Sequence, residues 1–491
     1  MRKAGIAKNL QVYTVIFVMV FVAYGYFSFG RDWNANSRLA LVRAFVDEGV
    51  FQIDSYHAGE FATNDKAYVN GHYYSDKAIG TSVLGVIVYY PVHWFHSMNG
   101  RSVSARSFFA LVQLCGIALP TALIALFLYP LTTHITNNPI KALVITLGIS
   151  LGTPLFKYST AYYGHSLAAA SYFVGVLSWL YARQRGSISL SMAFMSAILL
   201  GYMIITEYPT VILLAVFLPY ILYTLYKLGE LSNWKIYGIM AIGVLIPVSL
   251  LFYYNYSIFG SLVVTGYSYE SSEVFKLAHE KGVMGFSLPD PYHLWYLSFQ
   301  PAFGIFWQSP ILFLVLPGWF YMFRSREYRV EAVVSSVAIF VYVLAFSGYY
   351  MWWGGLSFAP RHLIPILPLF ALPLIFLPDK LFIPLTLCTL VSVFQNLLLT
   401  ASNFEGLADY FNRHLLPAWN ARRILEPGGM LVYDVSLPNV WRGYLVTNAG
   451  MGLGLKGPLT LLPLLFLELC LLLIYLRMIC CEATGGELER H

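Results

Sequence analysis

Charged residues are scarce in this chain, and their scarcity limits the classes of protein to which it can belong. Only 11% of the 491 residues are Asp, Glu, Lys or Arg, whereas 58% are hydrophobic, and the mean hydropathy is +0.64. Soluble domains carry about 25% charged residues. Apolar segments of roughly 20 residues recur along the whole chain, which is typical of helical membrane proteins and not of β-barrels. The composition therefore predicts an all-α integral membrane protein.

Cysteine is also rare, and so are basic clusters interleaved with aromatic residues. The five cysteines form no metal-binding spacing and no disulfide framework. The net charge of +6 includes no basic patch interleaved with aromatic residues, so we expect no nucleic-acid partner. No small-residue cleavage site follows the first apolar run, which we interpret as an uncleaved first membrane span.

The apolar segments predict about twelve transmembrane helices. They lie at roughly 11–29, 105–131, 141–157, 163–182, 189–206, 209–227, 236–254, 301–322, 330–350, 359–378, 381–400 and 457–477. A further segment, 79–97, is barely long enough to cross the membrane. If it crossed, the basic loops at 182–187 and 324–329 would face outward, against the rule that cytoplasmic loops are positive. We therefore expect 79–97 to lie in the membrane interface and both termini to be cytoplasmic.

The resulting topology is lopsided. Three long hydrophilic segments, 30–104, about 255–300 and about 401–456, face outside, and the inside loops are short. Loops that a rigid scaffold holds in place often carry function. The polar residues that need an explanation are concentrated in these outer segments.

Asp32 lies near the start of the first outer segment, directly after the first span. Leu39, Val42, Phe45 and Val46 then recur at helical spacing, which predicts an amphipathic helix on the membrane surface. Asp32 is either only the N-cap of that helix or a functional carboxylate at the mouth of the bundle.

Two cations stand where charge is costly. Lys77, in "GHYYSDKAIGTSVLG" (71–85), precedes the second surface segment, and it suits a phosphate at the headgroup level, where helix N-terminal amides would help. The alternative is a snorkelling lysine that binds lipid headgroups. Arg361, in "GGLSFAPRHLIPILPLF", opens another span, where a positive charge is expensive unless an anion meets it.

The order of these motifs resembles the bacterial GT-C membrane glycosyltransferases. The motifs are Asp32 after the first span, "YYSDKAIG", "YNYSIFG" followed by "GY", and "GGLSFAPRHLIPILPLF". The pattern is similar to the protein O-mannosyltransferases and to the aminoarabinose transferase that modifies lipid A, over most of residues 10 to 400. It implies a GT-C-like bundle of about twelve transmembrane helices with two juxtamembrane helices in the first extracytoplasmic loop. The chain departs from the pattern in having one Asp after the first span, where some relatives have an acidic pair.

The resemblance also implies an organisation and an activity. Residues 1–400 would form the transmembrane catalytic module, with its first outer loop at 30–104, and residues 401–491 would add an outer loop, the last transmembrane helix and a cytoplasmic tail. The enzyme would lie in the inner (cytoplasmic) membrane, among its lipids, with its active site facing the periplasm. It would transfer a hexose or pentose, with inversion, from a polyprenyl-phosphate sugar donor to a hydroxyl of a glycan, lipid or protein acceptor. No Rossmann pattern and no D-x-D motif is present to bind a nucleotide sugar.

The resemblance implies roles for particular residues. Asp32 would be the general base, which takes the proton of the acceptor hydroxyl, and Asp54 and Asp65 are the alternative bases. The departing lipid phosphate would be held by cations, Arg by a two-pronged grip and Lys as a point charge. The residues expected at this phosphate are Lys77, Arg361 and Tyr74.

A divalent metal is the one cofactor that the residues could support. Asp76 could hold it together with a histidine, or it could form a plain ion pair with a lysine. The histidines concerned are His57, His72 and His165. The sugar or acceptor pocket would be formed by Tyr162, Tyr256, Tyr267 and Glu207, although tyrosines also anchor helices at the interface and Glu207 could be an N-cap for the following span.

Two other functions fit the same residues. A transporter or flippase of a lipid-linked or anionic substrate would use the same cations, but such proteins tend to contain internal repeats, and we find no convincing repeat in this sequence. A ligase or polymerase that joins lipid-linked glycans would need a wide outer groove. The segment "NFEGLADYFNRHLLPAWNARRILEPGGM" (403–430) could line such a groove or form a lid.

Overall fold

The computed structural model describes residues 2–28, 30, 32–414 and 429–488, and it shows a bundle of helices with long loops gathered at one end. We call this end the loop face. Half of the 403–430 segment, residues 415–428, lies outside the described residues.

Seven helices in the described part of the chain are long and apolar enough to cross a membrane. They span Asn9–Tyr26, Ala105–Thr136, Tyr208–Lys227, Trp234–Phe259, Arg329–Ser347, Asp379–Ala401 and Gly457–Cys480. Shorter apolar helices lie at Pro139–Ser150, Leu190–Thr206, Pro310–Arg324 and Arg361–Ile375. With the 22-residue helix Gly164–Arg185, one helix falls on each of the twelve predicted spans. The prediction of an all-α, multi-pass membrane protein is confirmed.

The loops contain shorter elements. Their helices are Trp33–Arg43, Gly80–Met98, Leu155–Ser159, Glu273–His279, Pro291–Ser298, Ile305–Gln308, Leu407–His414, Leu437–Arg442 and Ala449–Gly452. Single turns of other helical types lie at Ala44–Glu48, Gly59–Phe61, Gly266–Tyr269 and Val432–Ser436. Two antiparallel pairs complete the loop face: Phe27–Ser28 with Thr447–Asn448, and Lys66–Val69 with His72–Ser75.

The first long loop contains the two expected helices, which we call the first loop helix (Trp33–Arg43) and the second loop helix (Gly80–Met98). The first loop helix begins where the Asp32 carboxylate accepts a hydrogen bond from the Ala35 amide at 2.9 Å, as a helix N-cap does. Contrary to the prediction of a surface helix, most of it is buried. The burial is tolerated because the guanidinium of Arg38 pairs with Glu207 at 3.3 Å.

A β-hairpin connects these two helices. Its strands pair Lys66 with Ser75 and Val69 with His72. The turn residues Asn70 and Gly71 both have positive φ, +50° and +90°, which is the turn chemistry that an Asn-Gly pair favours in two-residue hairpins. The second strand runs directly into Asp76 and Lys77, so the hairpin fixes where this pair lies.

The second loop helix has a packed side and an exposed side. Gly80, in its first turn, lies against the end of the Leu190–Thr206 helix, where an added Cβ would be 2.8 Å from the Thr206 backbone. The Tyr202 hydroxyl donates to the Gly80 carbonyl at 2.6 Å. On the other side, Trp94 is 57% exposed and several aromatic and aliphatic neighbours are exposed with it, as expected for a helix that lies in a membrane interface.

We expect Gly80→Ala to destabilise the protein by about 1–3 kcal/mol, because the added methyl group must push two closely packed backbones apart. The measurement is the thermal unfolding midpoint of purified protein in detergent. Gly238→Ala is the matched control, since Gly238 lies in the Trp234–Phe259 helix and an added Cβ there meets nothing within 4 Å. Equal midpoints for the two variants would contradict the close approach at Gly80.

Candidate functional site

A cavity of about 570 Å³ opens at the loop face, between the first long loop and the helix ends. It collects charged residues that are far apart in sequence. Its charged and histidine lining consists of Asp32, Arg38, Asp65, Lys77, His165, Glu207, Glu270, His279, Arg361 and His362. Of the sequence-predicted residues, the structure therefore brings together Asp32, Asp65, Lys77, Arg361, His165, Tyr267 and Glu207.

The Asp32 carboxylate is held by neutral donors. One oxygen caps the first loop helix through the Ala35 amide, and the other accepts a hydrogen bond from the Tyr163 hydroxyl. No ion pair joins it to another residue of the described chain within 4 Å. Asp32 is therefore the N-cap of the first loop helix and also part of the cavity lining, because a carboxylate has two oxygens and only one is needed for the cap.

Lys77 lies between two carboxylates. Its ammonium is 2.8 Å from Asp76 and 3.0 Å from Asp65, and it stands 5.7 Å from the centre of the Tyr267 ring. Asp76 is 2% exposed and also accepts a hydrogen bond from the Ser37 hydroxyl at 3.2 Å. Burial raises the pKa of the Asp76 carboxyl to about 6, against the lowering effect of Lys77. Asp76 thus lies behind Lys77 and forms the ion pair that was one of its two predicted roles.

Arg361 is the cation of the cavity with no carboxylate partner among the described residues. No carboxylate oxygen of that part of the chain lies within 4 Å of its guanidinium, which stands 5.4 Å from the centre of the Tyr163 ring. Its side chain lies along the turn Gly354–Gly355, where both glycines have positive φ, +81° and +76°. A Cβ at Gly354 would lie 2.8 Å from Cγ of Arg361. The glycine is therefore required both for the turn and for the space that the arginine occupies.

Glu207 is tied to two other elements. Its carboxylate is 3.3 Å from Arg38 and 3.2 Å from the His165 imidazole. Its side chain makes no capping hydrogen bond to the helix that follows, so the N-cap role considered for it is wrong. Burial raises the pKa of Glu207, while Arg38 and Arg361 act in the opposite direction.

Some predicted site residues lie outside the cavity lining. Asp54 accepts from the Tyr73 amide at 2.8 Å and contacts His72 at 2.6 Å, on the outer side of the hairpin. Both side chains are partly open to solvent, 39% and 52% exposed. His57 contacts the Lys66 ammonium at 3.0 Å. All of these contacts are made with residues of the hairpin.

Of the four predicted site tyrosines, one lines the cavity and three lie outside its lining. Tyr267 lines the cavity. Tyr162 is buried beneath the second loop helix, where its hydroxyl donates to the Thr81 carbonyl at 2.9 Å. Tyr74 is buried on the hairpin, and Tyr256 is 62% exposed on the Trp234–Phe259 helix, as an interface anchor would be.

The residues predicted to bind a divalent metal do not lie together as a set of ligands in the described structure. The three histidines named for it have other partners: His57 contacts Lys66, His72 contacts Asp54 and His165 contacts Glu207. Across the residues that the structure describes, no group of three or more His, Cys, Asp or Glu side chains is placed to hold a metal ion. Asp76 and a histidine therefore form no visible metal centre in this part of the chain.

The sequence interpretation missed Glu270 and His279, which line the cavity from the second long loop. The imidazole lies 3.3 Å from the carboxylate. No local motif marks them. Glu270 reaches the cavity through a long-range contact: its backbone forms an antiparallel bridge with Ala67 of the hairpin.

Fold and site together define the class: a multi-pass helical membrane protein with a charged cavity enclosed by its loops at one face. No protein-family model matches the sequence, and no curated protein matches it. The structure is similar to two crystal structures of ArnT from Cupriavidus metallidurans, one bound to undecaprenyl phosphate and one in the apo state. The TM-scores are 0.47 and 0.45, and the sequence identities are 13% and 14%. The aligned regions cover 77% and 78% of this chain, which spans 62% of the length of each ArnT chain.

We expect the stability of the protein to depend on pH through Asp76. Because its pKa of about 6 in the folded state lies above the ordinary value of 3.8, the folded protein binds this proton more tightly than the unfolded chain does. The contribution is therefore fully present below the ordinary value, falls as the pH rises towards 6, and stays constant above that. Its size is about 1–3 kcal/mol.

The measurement is the unfolding midpoint of wild type and Asp76→Asn in detergent between pH 5 and 8. We expect the wild type to gain stability relative to Asp76→Asn as the pH is lowered from 7 to 5. A difference that stays constant over this range would show that Asp76 titrates at its ordinary value.

Proposed function

We propose that this protein is a glycosyltransferase of the GT-C type. It moves a sugar from a polyprenyl-phosphate-linked donor to an acceptor hydroxyl at the extracytoplasmic face of the membrane, with inversion at the anomeric carbon. One observation carries the proposal: a carboxylate without a cationic partner, Asp32, and a cation without a carboxylate partner, Arg361, line one cavity together with Lys77 in the described structure. A group transfer that makes an alkoxide-like nucleophile and releases a phosphate needs these two kinds of group.

Asp32 is the general base of the proposed reaction. It accepts the proton of the acceptor hydroxyl while that oxygen attacks the anomeric carbon from the side opposite the phosphate. The bond between the anomeric carbon and the phosphate oxygen breaks, and its electron pair leaves with the phosphate. The Ala35 amide and the Tyr163 hydroxyl donate to the Asp32 carboxylate and fix its direction.

The cations receive the leaving group. The guanidinium of Arg361 can offer two N–H groups to two phosphate oxygens, and no ion pair with a described carboxylate has to be broken first. Lys77 adds a point charge, while Asp65 and Asp76 fix its position. Positioned cations that meet the charge as it develops are usually the largest catalytic contribution.

The other two candidate bases fit this reaction less well. Asp65 is engaged with Lys77 at 3.0 Å, so we propose that it positions the cation. Asp54 lies outside the cavity lining and is partly open to solvent beside His72.

The decisive experiment measures sugar transfer or release from radiolabelled undecaprenyl-phosphate sugars by purified protein in nanodiscs. We expect Asp32→Asn to lower the rate by about 10²- to 10⁴-fold and to leave donor binding intact. Asp54→Asn is the matched control and is expected to behave like the wild type. Equal losses in the two variants would refute the role of Asp32. If the donor binds but its sugar never leaves, the protein is not a transferase, and transport of the lipid is the function to test next.

We expect Gly354→Ala to weaken the binding of undecaprenyl phosphate by about 10-fold, because the new methyl group displaces Arg361 from the phosphate position. A charge-assisted contact of this kind is worth about 1.5–3 kcal/mol, and part of it is recovered by relaxation of the side chain. The measurement is binding of undecaprenyl phosphate to the protein in nanodiscs. Gly355→Ala is the matched control, since it imposes the same strain at positive φ while its nearest neighbours lie 3.9 Å away. Equal binding of undecaprenyl phosphate by the two variants would show that Arg361 does not contact the phosphate.

A further inference from the structure

A second group of residues in the same cavity takes no part in the steps above. It belongs to the second long loop and to the turn before Gly354. Its members are Tyr267, Glu270, His279, Tyr349 and Tyr350. Together they place one carboxylate among aromatic rings.

Glu270 is held inside this group. The residue is 8% exposed and its side chain 4% exposed. In the described chain, its one ion-pair contact within 4 Å is with the imidazole of His279, whose Nδ1 is 3.3 Å from Oε2 and also 3.1 Å from the Phe275 carbonyl. No described residue donates a hydrogen bond to this carboxylate. A carboxylate offers about four acceptor positions, and leaving them unused in a buried place costs free energy.

The rings around Glu270 form a wall. The His279 ring stacks on Tyr267 with centroids 4.5 Å apart, and it meets Tyr350 edge to face at 4.8 Å. The backbone is fixed as well, because Glu270 bridges to Ala67 and the Ser271 amide donates to the Lys66 carbonyl at 3.0 Å. The carboxylate and the wall are therefore positioned before any ligand arrives.

We propose that Glu270 accepts hydrogen bonds from hydroxyl groups of the donor sugar, while the Tyr267–His279 stack packs against the carbon face of its ring. This inference rests on the proposed function. A sugar presents hydroxyl donors around its edge and C–H groups on its face, so it matches a carboxylate beside aromatic rings. The donor sugar is favoured over the acceptor because it is bonded directly to the phosphate, and Lys77 lies 5.7 Å from the centre of the Tyr267 ring.

The test compares a lipid phosphate without a sugar with four forms of the same lipid that carry one. Undecaprenyl phosphate is titrated into wild-type and Glu270→Gln protein in nanodiscs, and so are undecaprenyl-phosphate glucose, galactose, mannose and arabinose. We expect Glu270→Gln to weaken the binding of the tightest-binding sugar-bearing lipid by about 10- to 100-fold, because hydrogen bonds to a charged group are lost. We expect it to leave the affinity for undecaprenyl phosphate unchanged. Glu280→Gln, at an exposed position of the same loop, is the control and is expected to bind both lipids like the wild type.

Monodeoxy forms of the tightest-binding donor identify the sugar hydroxyl that Glu270 recognises. The wild type should reject one of them by about 10-fold or more, and Glu270→Gln should lose that selectivity. Equal weakening of the sugar-bearing and sugar-free lipids by Glu270→Gln, or no weakening of either, would overturn the inference. So would a wild type that binds no sugar-bearing lipid better than undecaprenyl phosphate. If the wild type binds none of these lipids, the proposed function fails together with the inference.

Discussion

The ion pair between Arg38 and Glu207 is the contact on which the arrangement of the loop face depends. It joins the first loop helix to the end of the Leu190–Thr206 helix at 3.3 Å, with side chains only 3% and 15% exposed. Removing either partner would leave a buried charge uncompensated, which is far more costly than losing an exposed pair. Because Asp32 is the N-cap of the helix that carries Arg38, the position of the proposed base follows from this pair.

Pairing of carboxylates with cations also determines the charge balance of the cavity. Its described lining contains four carboxylates, Asp32, Asp65, Glu207 and Glu270, and three permanent cations, Arg38, Lys77 and Arg361. The cavity therefore carries no net positive charge that would hold any anion. An anion binds only if it meets the cations locally, and pairing decides where this occurs. Arg38 is paired with Glu207 and Lys77 is held by Asp65 and Asp76, whereas no described carboxylate pairs with Arg361. This uneven pairing favours one phosphate position over a general affinity for anions.

The sequence predicted the helices well, because a membrane span must satisfy its backbone within one continuous apolar segment. The resemblance to the GT-C transferases implied that Asp32, Lys77 and Arg361 act at one site, and all three line the cavity. The sequence could not separate Asp65, in the cavity, from Asp54, on the outer side of the hairpin, because the course of the loop decides between them. Glu270 was missed for a related reason: a single bridge between two long loops brings it to the cavity, and such pairing leaves no local pattern.

The far end of the bundle bears on the choice between catalysis and transport. His165 lines the cavity near the start of the Gly164–Arg185 helix, and Arg183 lies in the last turn of the same helix, about 27 Å away at 1.5 Å per residue. There the Arg183 guanidinium and the Tyr220 hydroxyl both bond to the Glu331 carboxylate at 2.6 Å, and Glu331 is 4% exposed. A transporter with alternating access must open this end as well, which would expose or break a buried, charge-assisted network. An enzyme that works at the loop face keeps this network intact through its whole cycle.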